Sequence, residues 1–306
     1  MKVEITKALS LSDEQTSLLE MHSMLNIMNV LVGEFYQIGH LLGNKKLLKE
    51  SISHCSEIVS ALSDRRRAIE RTNRIDTSKQ LIRDNIRSVL DAKRELFDSE
   101  QIQEHTSNIE SIFNILDVRV RELLARAKEP EMWIRHEIRT LTTDFINVFT
   151  AIERNAKGRY RIVYNIASKH SLDYFVNFNI NSIDGDTIYI PAVLHDVMRD
   201  LIANARKYTD LGGTIIAGLD DDGEYLCYVV EDNGRGIPST QIEQVVDYGV
   251  RAENVKDKET KGGGFGLTKA YFITRQFNGR MWIESEESQG TIITIHIPSR
   301  SRAGSR

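Results

Sequence analysis

The sequence contains few of the residues that mark several common classes of protein. Its 306 residues include only two cysteines, Cys55 and Cys227, which lie far apart in the chain. Two cysteines exclude a disulfide framework or a cysteine zinc site, and they favour a reducing compartment. No stretch approaches the roughly 18 uninterrupted apolar residues of a membrane span, and the first residues lack a basic-then-apolar signal pattern. We therefore expect a cytoplasmic protein with no membrane span.

The charge composition shows no strong excess of one sign. The formal net charge is −4, with 27% charged and 41% hydrophobic residues. This composition is typical of a folded chain and lacks the basic excess of a nucleic-acid-binding protein, so we expect no nucleic-acid partner. The length is sufficient for two ordinary domains.

Glycine and proline divide the chain into two halves. No glycine occurs between Asn44 and Lys157, and Pro130 is the only proline of the first half. A glycine-free stretch rich in Leu, Ile, Arg and Glu is typical of helices, whereas the glycine-rich remainder alternates strand-like runs with turns. We therefore predict a helical domain at 1–157, an α/β domain at 158–300 and a polar tail at 301–306.

The fold class expected for the whole chain is α+β, with long helices preceding an α/β sandwich. Five helices are predicted in the first half, as an antiparallel bundle, as hairpins, or in part as a dimer interface. Their approximate ranges are Ser12–Leu42, Lys46–Arg74, Thr77–Phe97, Ser99–Ala127 and Pro130–Ala156. Alternating strands and helices in the second half predict a mixed sheet covered by helices on one face. The strands are expected near Tyr160–Ile166, Tyr174–Ile180, Thr214–Leu219, Leu226–Glu231, Met281–Ser285 and Thr291–Ile297, and the helices at Pro191–Tyr208 and Thr268–Phe277.

One polar stripe on the helix from Pro191 carries chemistry suited to a magnesium–phosphate ligand. Asp200 and Asn204 are four residues apart, and Lys207 follows three residues later, so the three share one helix face. Oxygen ligands beside a cation suit Mg²⁺ and phosphate. The alternative is a solvated polar face.

Three glycine motifs follow in the second half. Asp232-Asn233-Gly234-Arg235-Gly236 comes directly after a strand, where two glycines allow close approach of the backbone. Gly262-Gly263-Gly264-Phe265-Gly266 leads into a helix, whose N-terminal amides are suited to phosphate. Gly290-Thr291 precedes the last strand. Taken singly, these motifs are equally consistent with turns or a hinge.

The order and spacing of the four motifs resemble the ATP-binding domain shared by sensor histidine kinases, gyrase, Hsp90-type chaperones and MutL. Asn204-Ala205-Arg206-Lys207-Tyr208-Thr209 resembles the asparagine box of histidine kinases in particular. The resemblance extends from about Tyr160 to Pro298 and implies that ATP and magnesium are the cofactors.

The resemblance also implies a role for each matching residue. Asp232 would accept a hydrogen bond from the adenine amino group, and Gly234 and Gly236 would let the backbone approach the base. Asn204 would ligate magnesium, and Lys207 would lie near the phosphates. The remaining nucleotide contacts implied are Gly262, Gly264, Gly266 and Thr291.

Two further features depend on the resemblance. Asp200 stands where most histidine kinases have asparagine and where the ATPase branch has a water-activating glutamate, so we interpret it as a metal ligand or base. Residues Ser239–Lys261 are charged and lack apolar periodicity, and the resemblance implies a mobile lid over ATP there.

Two histidines are candidates for a phosphate acceptor. His22 lies on the first predicted helix, with Asn26 one turn along, beside an apolar stripe through Leu18, Met21, Leu25, Met28, Val32 and Phe35. This placement predicts a partly exposed imidazole, and His-x-x-x-Asn resembles the acceptor box of several histidine-kinase subfamilies. A structural role is the alternative.

His136 is the second candidate. His136-Glu137-Ile138-Arg139-Thr140-Leu141 resembles the best-known acceptor box without its proline, and Glu137 could act as a neighbouring base. Only one predicted helix separates His136 from the ATP domain, whereas the family places a two-helix hairpin there. A solvated helix-surface residue is the alternative for this position.

Three functions are consistent with these features. The first is a histidine kinase that autophosphorylates and passes phosphate to a response-regulator receiver domain, as a homodimer through the helical region. The second is a serine/threonine protein kinase on the same fold. The third is an ATP-gated interaction protein without phosphotransfer.

Overall fold

The computed structural model describes residues 2–93, 100–155, 158–257 and 263–299, with only the backbone at 148, 151, 152, 154 and 155. The chain forms two compact units. The helical unit is Leu11–Pro130, and the sheet unit combines Met1–Ser10 with Glu131–Arg306. The helical unit is therefore an insertion between the first strand and the remainder of the sheet unit.

The predicted domain boundary at residues 157–158 differs from this division. The composition of the glycine-free segment after Pro130 is typical of helices and predicts that this segment belongs to the helical domain. The segment instead joins the sheet unit, since Leu141 and Phe145 share one apolar core with Val176 and Leu201. The first ten residues also belong to the sheet unit, because Ile5 lies in that same core.

The helical unit contains six helices within its described residues. Their bounds are α1 Asp13–Glu20, α2 His22–Leu41, α3 Lys49–Ala61, α4 Arg65–Asn73, α5 Ile75–Asp91 and α6 Glu100–Lys128. The first two predicted helices are each divided in two. Ser12 caps α1 by accepting from the Gln15 amide, and Asp64 caps α4 by accepting from the Arg67 amide. The Asp64 cap begins a new helix where periodicity alone predicts one long helix, whereas the break between α1 and α2 lies at Met21, which makes no side-chain cap hydrogen bond.

The core of the helical unit lies along one face of α2. Met24, Met28, Leu31, Phe35 and Ile38 are fully buried, at the three- and four-residue spacing of one helix face. The predicted stripe is correct at Met21, Met28 and Phe35, but Leu18, Leu25 and Val32 are only partly buried. The break at Met21 separates α1 from α2, so a single stripe does not continue through both helices.

The sheet unit contains nine strands and three α-helices within its described residues. The strands are β1 Lys2–Glu4, β2 Trp133–Glu137, β3 Ile162–Val163, β4 Tyr174–Ser182, β5 Thr187–Pro191, β6 Thr214–Asp221, β7 Tyr225–Asp232, β8 Arg280–Glu286 and β9 Gly290–Pro298. The helices are α7 Ile138–Asn155, α8 Leu194–Tyr208 and α9 Gly266–Gln276. The predicted helix Pro130–Ala156 is thus wrong at its start, where β2 precedes α7.

The main sheet is mixed, as predicted. Its order is β1-β8-β9-β7-β6-β4-β3, with β3, β4 and β6 parallel and the remaining neighbours antiparallel. Strands β2 and β5 form a separate antiparallel pair. On β7, Leu226, Tyr228 and Val230 are buried, whereas the residues between them are at least partly exposed. One face of the sheet is therefore covered, which confirms the predicted layer of helices on one side.

The N-terminal segment is part of this sheet. Strand β1 pairs with β8, and the Ile5 amide donates to the Met281 carbonyl at 2.9 Å. The Lys7 ammonium lies 2.7 Å from the Asp247 carboxylate, and the Tyr271 hydroxyl donates to the Lys7 carbonyl. Residues at the start of the chain thereby complete an edge formed by its last third. Across the described residues, the helices are too short or too polar to cross a lipid bilayer.

Candidate functional site

The first sequence motif lies on the C-terminal half of α8. The apolar face of α8 carries Leu194, Val197, Met198, Leu201 and Ile202, all fully buried as the periodicity predicts. Asn204 and Lys207 lie off that face and are partly exposed. The Lys207 ammonium lies 4.9 Å from the centre of the Tyr208 ring. An amide and a cation are therefore available at the end of α8.

The glycine-rich loop meets this end of α8. Helix α9 begins at Gly266, and a Cβ atom placed there would lie 2.5 Å from the Asn204 Nδ2 atom. Gly264 adopts a φ of +78°, which favours glycine. The N-terminus of α9 and the Asn204 side chain consequently lie side by side. Gly262 lies outside the described residues.

The Asp-x-Gly-x-Gly motif packs against the same end of α8. Asp232 is the last residue of β7, and its carboxylate accepts the Gly234 amide at 2.9 Å. The Arg235 amide donates to the Tyr208 carbonyl at 3.1 Å. A Cβ atom at Gly234 would lie 2.5 Å from the Tyr208 carbonyl oxygen, so glycine is required by close approach.

The Gly290-Thr291 motif packs against the Asp232-x-Gly-x-Gly motif. Asp232 pairs with Thr291 in the β7–β9 register. A Cβ atom at Gly236 would overlap the Glu286 carbonyl, and one at Gly290 would overlap the Asp232 carbonyl. The Ser285 hydroxyl accepts the Ile237 amide at 2.8 Å and lies 2.9 Å from the Thr291 hydroxyl. The four motifs, distant in sequence, therefore form one contiguous site.

The electrostatics of Asp232 distinguish it from an ordinary turn residue. Burial raises the pKa of its carboxyl group to about 6, although the amides of Gly234 and Thr291 act in the opposite direction. The nearby charge of Glu231 adds to the increase. The carboxylate is thus held where its charged form lacks sufficient solvation. A ligand that donates a hydrogen bond would compensate for that loss.

Asp200 has a partner that the sequence did not reveal. Its carboxylate forms an ion pair with Lys269 of α9, with Nζ 2.9 Å from Oδ2. Lys269 ends the glycine-rich motif in the sequence, where it has no predicted role, so only the packing of α8 on α9 identifies its partner.

The segment predicted as a mobile lid, Ser239–Lys261, is packed on the core over much of its described length. Short 3₁₀ turns occur at Ser239–Gln241 and Glu253–Val255. Five apolar side chains of this segment are buried in the core, namely Ile242, Val245, Val246, Ala252 and Val255. Their irregular spacing hides them from a periodicity search, but they anchor the segment. Residues 258–261 of the predicted lid lie outside the described residues.

His22 is less accessible than predicted. It is the first residue of α2 and is only 7% exposed, whereas the polar stripe predicted a partly exposed imidazole. The break at Met21 places this residue at the start of a new helix, so its burial does not follow from one stripe drawn through α1 and α2. The predicted proximity to Asn26 is confirmed, because His22 Nε2 and Asn26 Nδ2 are 3.1 Å apart.

His136 lies on a strand, where the sequence predicted a helix. It pairs with Ile188 in the β2–β5 register, and its ring centre is 6.1 Å from that of His195, near the start of α8. Asn204 follows nine residues later, about 13 Å further along the helix. The structure therefore places His136 at the end of α8 remote from the four motifs.

His105 is a histidine whose environment the sequence did not predict. Its Nδ1 atom lies 2.7 Å from the Glu34 carboxylate. The pair joins α6 to α2, and a partner so distant in sequence leaves no local signal.

The residues of the site fit a magnesium nucleotide better than a metal ion held by protein ligands alone. Over the described ranges, no cluster of three or more His, Cys, Asp or Glu residues forms a metal cage. Mg²⁺ in phosphate sites takes few protein oxygens and completes its shell with phosphate and water. The Asn204 amide oxygen beside the α9 N-terminus fits that requirement.

Residues 190–301 match the sequence profile of the family described as "Histidine kinase-, DNA gyrase B-, and HSP90-like ATPase". The sensor histidine kinase WalK of Bacillus subtilis is 35% identical over 104 residues, which are 33% of this chain and 17% of that protein. The adaptive-response sensory kinase SasA of Synechococcus elongatus is 35% identical over 123 residues, 39% of this chain and 31% of that protein. The chain spans less than a third of these curated relatives.

Solved structures of histidine kinases also match. Full-length ShkA in complex with AMPPNP is 19% identical, with a TM-score of 0.43, covering 74% of this chain and 46% of that one. The catalytic domain of ThkA is 18% identical, with a TM-score of 0.38, covering 55% and 97%.

The profile match covers the four glycine and polar motifs of the second half, and these motifs meet in one site. Residues 190–301 therefore form a domain that matches the histidine kinase-, DNA gyrase B- and HSP90-like ATPase family. The two curated relatives named above are sensory kinases.

Proposed function

We propose that this protein is an ATP-dependent protein histidine kinase of a two-component system. One observation carries the proposal: the Asp232 carboxylate, Asn204 and the N-terminus of α9 converge at the end of α8. This arrangement provides an acceptor for a base amino group, a magnesium ligand and amide donors for phosphate. These are the three parts of an ATP site.

In the proposed complex, Asp232 accepts from the adenine amino group, and Gly234 and Gly236 admit the base to the backbone. Asn204 holds the magnesium ion, which neutralises charge on the phosphates. Lys207 and the amides of Gly264 and Gly266 bind the phosphates, with Gly262 assigned to the same loop. Thr291 keeps the Asp232 loop in place through its contact with Ser285.

The proposed acceptor is a helix-borne histidine, from which phosphate passes to a response-regulator aspartate. His22 is favoured over His136, because β2 holds His136 beside His195, which lies about 13 Å along α8 from Asn204 within the sheet unit. Transfer to His22 requires its buried imidazole to become exposed. A homodimer formed through the helical unit supplies the partner in this proposal, as in the sensor histidine kinases that the chain resembles. The reaction would occur in the cytoplasm, where the thiols of Cys55 and Cys227 remain free.

The burial of His22 favours a second candidate, an ATP-gated interaction protein that transfers no phosphate. In that case ATP binding itself would change the state of the helical unit. The two candidates differ in one observable, the presence of phosphohistidine.

The test is to incubate the purified protein with γ-labelled ATP and magnesium and compare the label after acid and after alkali. Variants His22→Ala and His136→Ala are compared with wild type, with His105→Ala as the matched control in the helical unit. Acid-labile, alkali-stable label that disappears only in His22→Ala supports the proposal. Acid-stable label on a protein substrate added to the same reaction identifies a serine/threonine kinase. ATP binding without any label supports the second candidate.

A further inference from the structure

A buried lysine links the two helices that build the proposed ATP site. Lys269 on α9 is 2% exposed, and its Nζ atom lies 2.9 Å from Oδ2 of Asp200 on α8. The same ammonium is 3.9 Å from Asp196, which also forms an ion pair with Arg199 one turn along α8. Buried charges persist when they are paired, so the cluster gives the α8–α9 interface a specific electrostatic requirement.

Helices α8 and α9 make two successive contacts, and the helices run in opposite directions along them. Gly266 abuts Asn204, and Lys269, one turn later on α9, reaches Asp200, one turn earlier on α8. Spacings of three and four residues return to the same helix face. A slip of one helix along the other would therefore break the ion pair and separate Asn204 from the α9 N-terminus together.

We propose that Lys269 is a positioning residue. Its ion pair with Asp200 fixes the register of α9 on α8, so that Asn204 and the glycine loop bind the same phosphates. The inference deepens the proposed function and rests on it. In this arrangement the Asp200 carboxylate holds the lysine and is not a metal ligand or a general base. The aspartate that departs from the asparagine of most histidine kinases is thus matched by a cation on the facing helix.

The proposal makes a specific statement about charge. Removing Asp200 leaves the buried Lys269 ammonium with only the more distant Asp196, and removing Lys269 leaves the partly exposed Asp200 carboxylate without its cation. Replacing both with neutral residues of similar size removes both losses. Lys269→Met and Asp200→Asn should each impair the site, and the double variant should recover. The matched control is Arg275→Met, which removes an exposed cation from the last turn of α9.

The experiment measures the Kd of ATP with magnesium and of ADP in EDTA, together with the thermal midpoint, for all five proteins. We expect each single variant to weaken both nucleotides by at least about tenfold and to lower the midpoint. The double variant should bind within about threefold of wild type, and Arg275→Met should match wild type.

Other outcomes would overturn the inference. If Asp200 is a metal ligand, Asp200→Asn weakens only the magnesium complex, and the double variant is no better. If Lys269 is merely structural, the midpoint falls while both Kd values stay unchanged. If wild type binds neither nucleotide, the proposed function fails. The thermal midpoints of the two single variants and the double variant then still show whether the two side chains are coupled. Additive midpoint changes would reject the proposed pair.

Discussion

The two units of this protein differ in how directly their sequences encode their chemistry. In the sheet unit, glycines and a carboxylate mark places where distant segments touch, as Gly234 does at the Tyr208 carbonyl. In the helical unit, amphipathic periodicity indicates which side of a helix is buried but not which partner it meets. Backbone requirements therefore predict tertiary contacts, whereas helical periodicity predicts burial.

The largest expected effect is at Gly236. It tests whether glycine is required there because another segment lies close to its backbone, or only because its φ is positive. Gly236 has a φ of +65° and no room for a Cβ beside Glu286, whereas Gly185 has a φ of +70° and open space. Gly185→Ala should cost about 1 kcal/mol of unfolding free energy, from backbone strain alone. Gly236→Ala should cost at least about 3 kcal/mol more, because the loop must move, and should abolish nucleotide binding. Equal costs in denaturant unfolding would contradict this interpretation.

The second prediction concerns the separate core of the helical unit. Leu31 is fully buried there, whereas the adjacent Val30 is 44% exposed. Leu31→Ala should lower the unfolding free energy of that unit by about 3–4 kcal/mol, and Val30→Ala should have little effect. The Kd of ATP should stay within about twofold of wild type, since the two cores share no residue among those that the structure describes. A large loss of affinity would show that the units are not energetically separate.

The third prediction tests whether the N-terminal segment is part of the sheet unit. Ile5 is 2% exposed and hydrogen-bonds to Met281 through its backbone. Ile5→Ala should destabilise the sheet unit by about 2–3 kcal/mol, whereas Thr6→Ala, at an exposed neighbouring position, should not. Hydrogen exchange at β8 reports the change, and unaltered protection there would contradict it.

The smallest predicted effect is the pH dependence caused by Asp232. Because its pKa is about 6 in the folded protein and near 3.8 otherwise, the folded state binds more protons between these values. The free energy of unfolding should therefore fall as pH rises from about 4 to about 6. The full shift corresponds to about 3 kcal/mol, which solvent screening of the partly exposed group reduces to about 1–2 kcal/mol. Asp232→Asn should remove this slope and Asp220→Asn should retain it; a wild-type slope of opposite sign would be inconsistent with the site.

Much of the sheet unit could be predicted from the sequence. The alternation of strands and helices predicted the mixed sheet, and the periodicity of α8 predicted its buried face. The motifs marked residues that meet at the end of α8, and their roles in binding stay predictions. Lys269 and the anchoring of Ile242 and Val246 could not be predicted, because each depends on a contact between segments with no local signal. Strand β1 was missed since only three residues form it, and its pairing partner lies at the other end of the chain.

Less of the helical unit could be predicted from the sequence. Glycine-free composition correctly predicted helices but continued the domain past Pro130, because composition does not record which core a helix joins. The same limit placed His136 on a helix, although β5 holds it in a strand. Periodicity correctly predicted a helix at His22, but it did not predict the break at Met21 or the burial of the imidazole.

The most direct test of the central claim is calorimetric titration of ATP and GTP, with magnesium at pH 8, into wild type and Asp232→Ala. Asp220→Ala, at an exposed position on β6, serves as the control. We predict that wild type and Asp220→Ala bind ATP in preference to GTP. Loss of the Asp232 acceptor should weaken ATP by at least about tenfold and remove the preference. Unchanged ATP affinity in Asp232→Ala would contradict the assignment of this site to adenine.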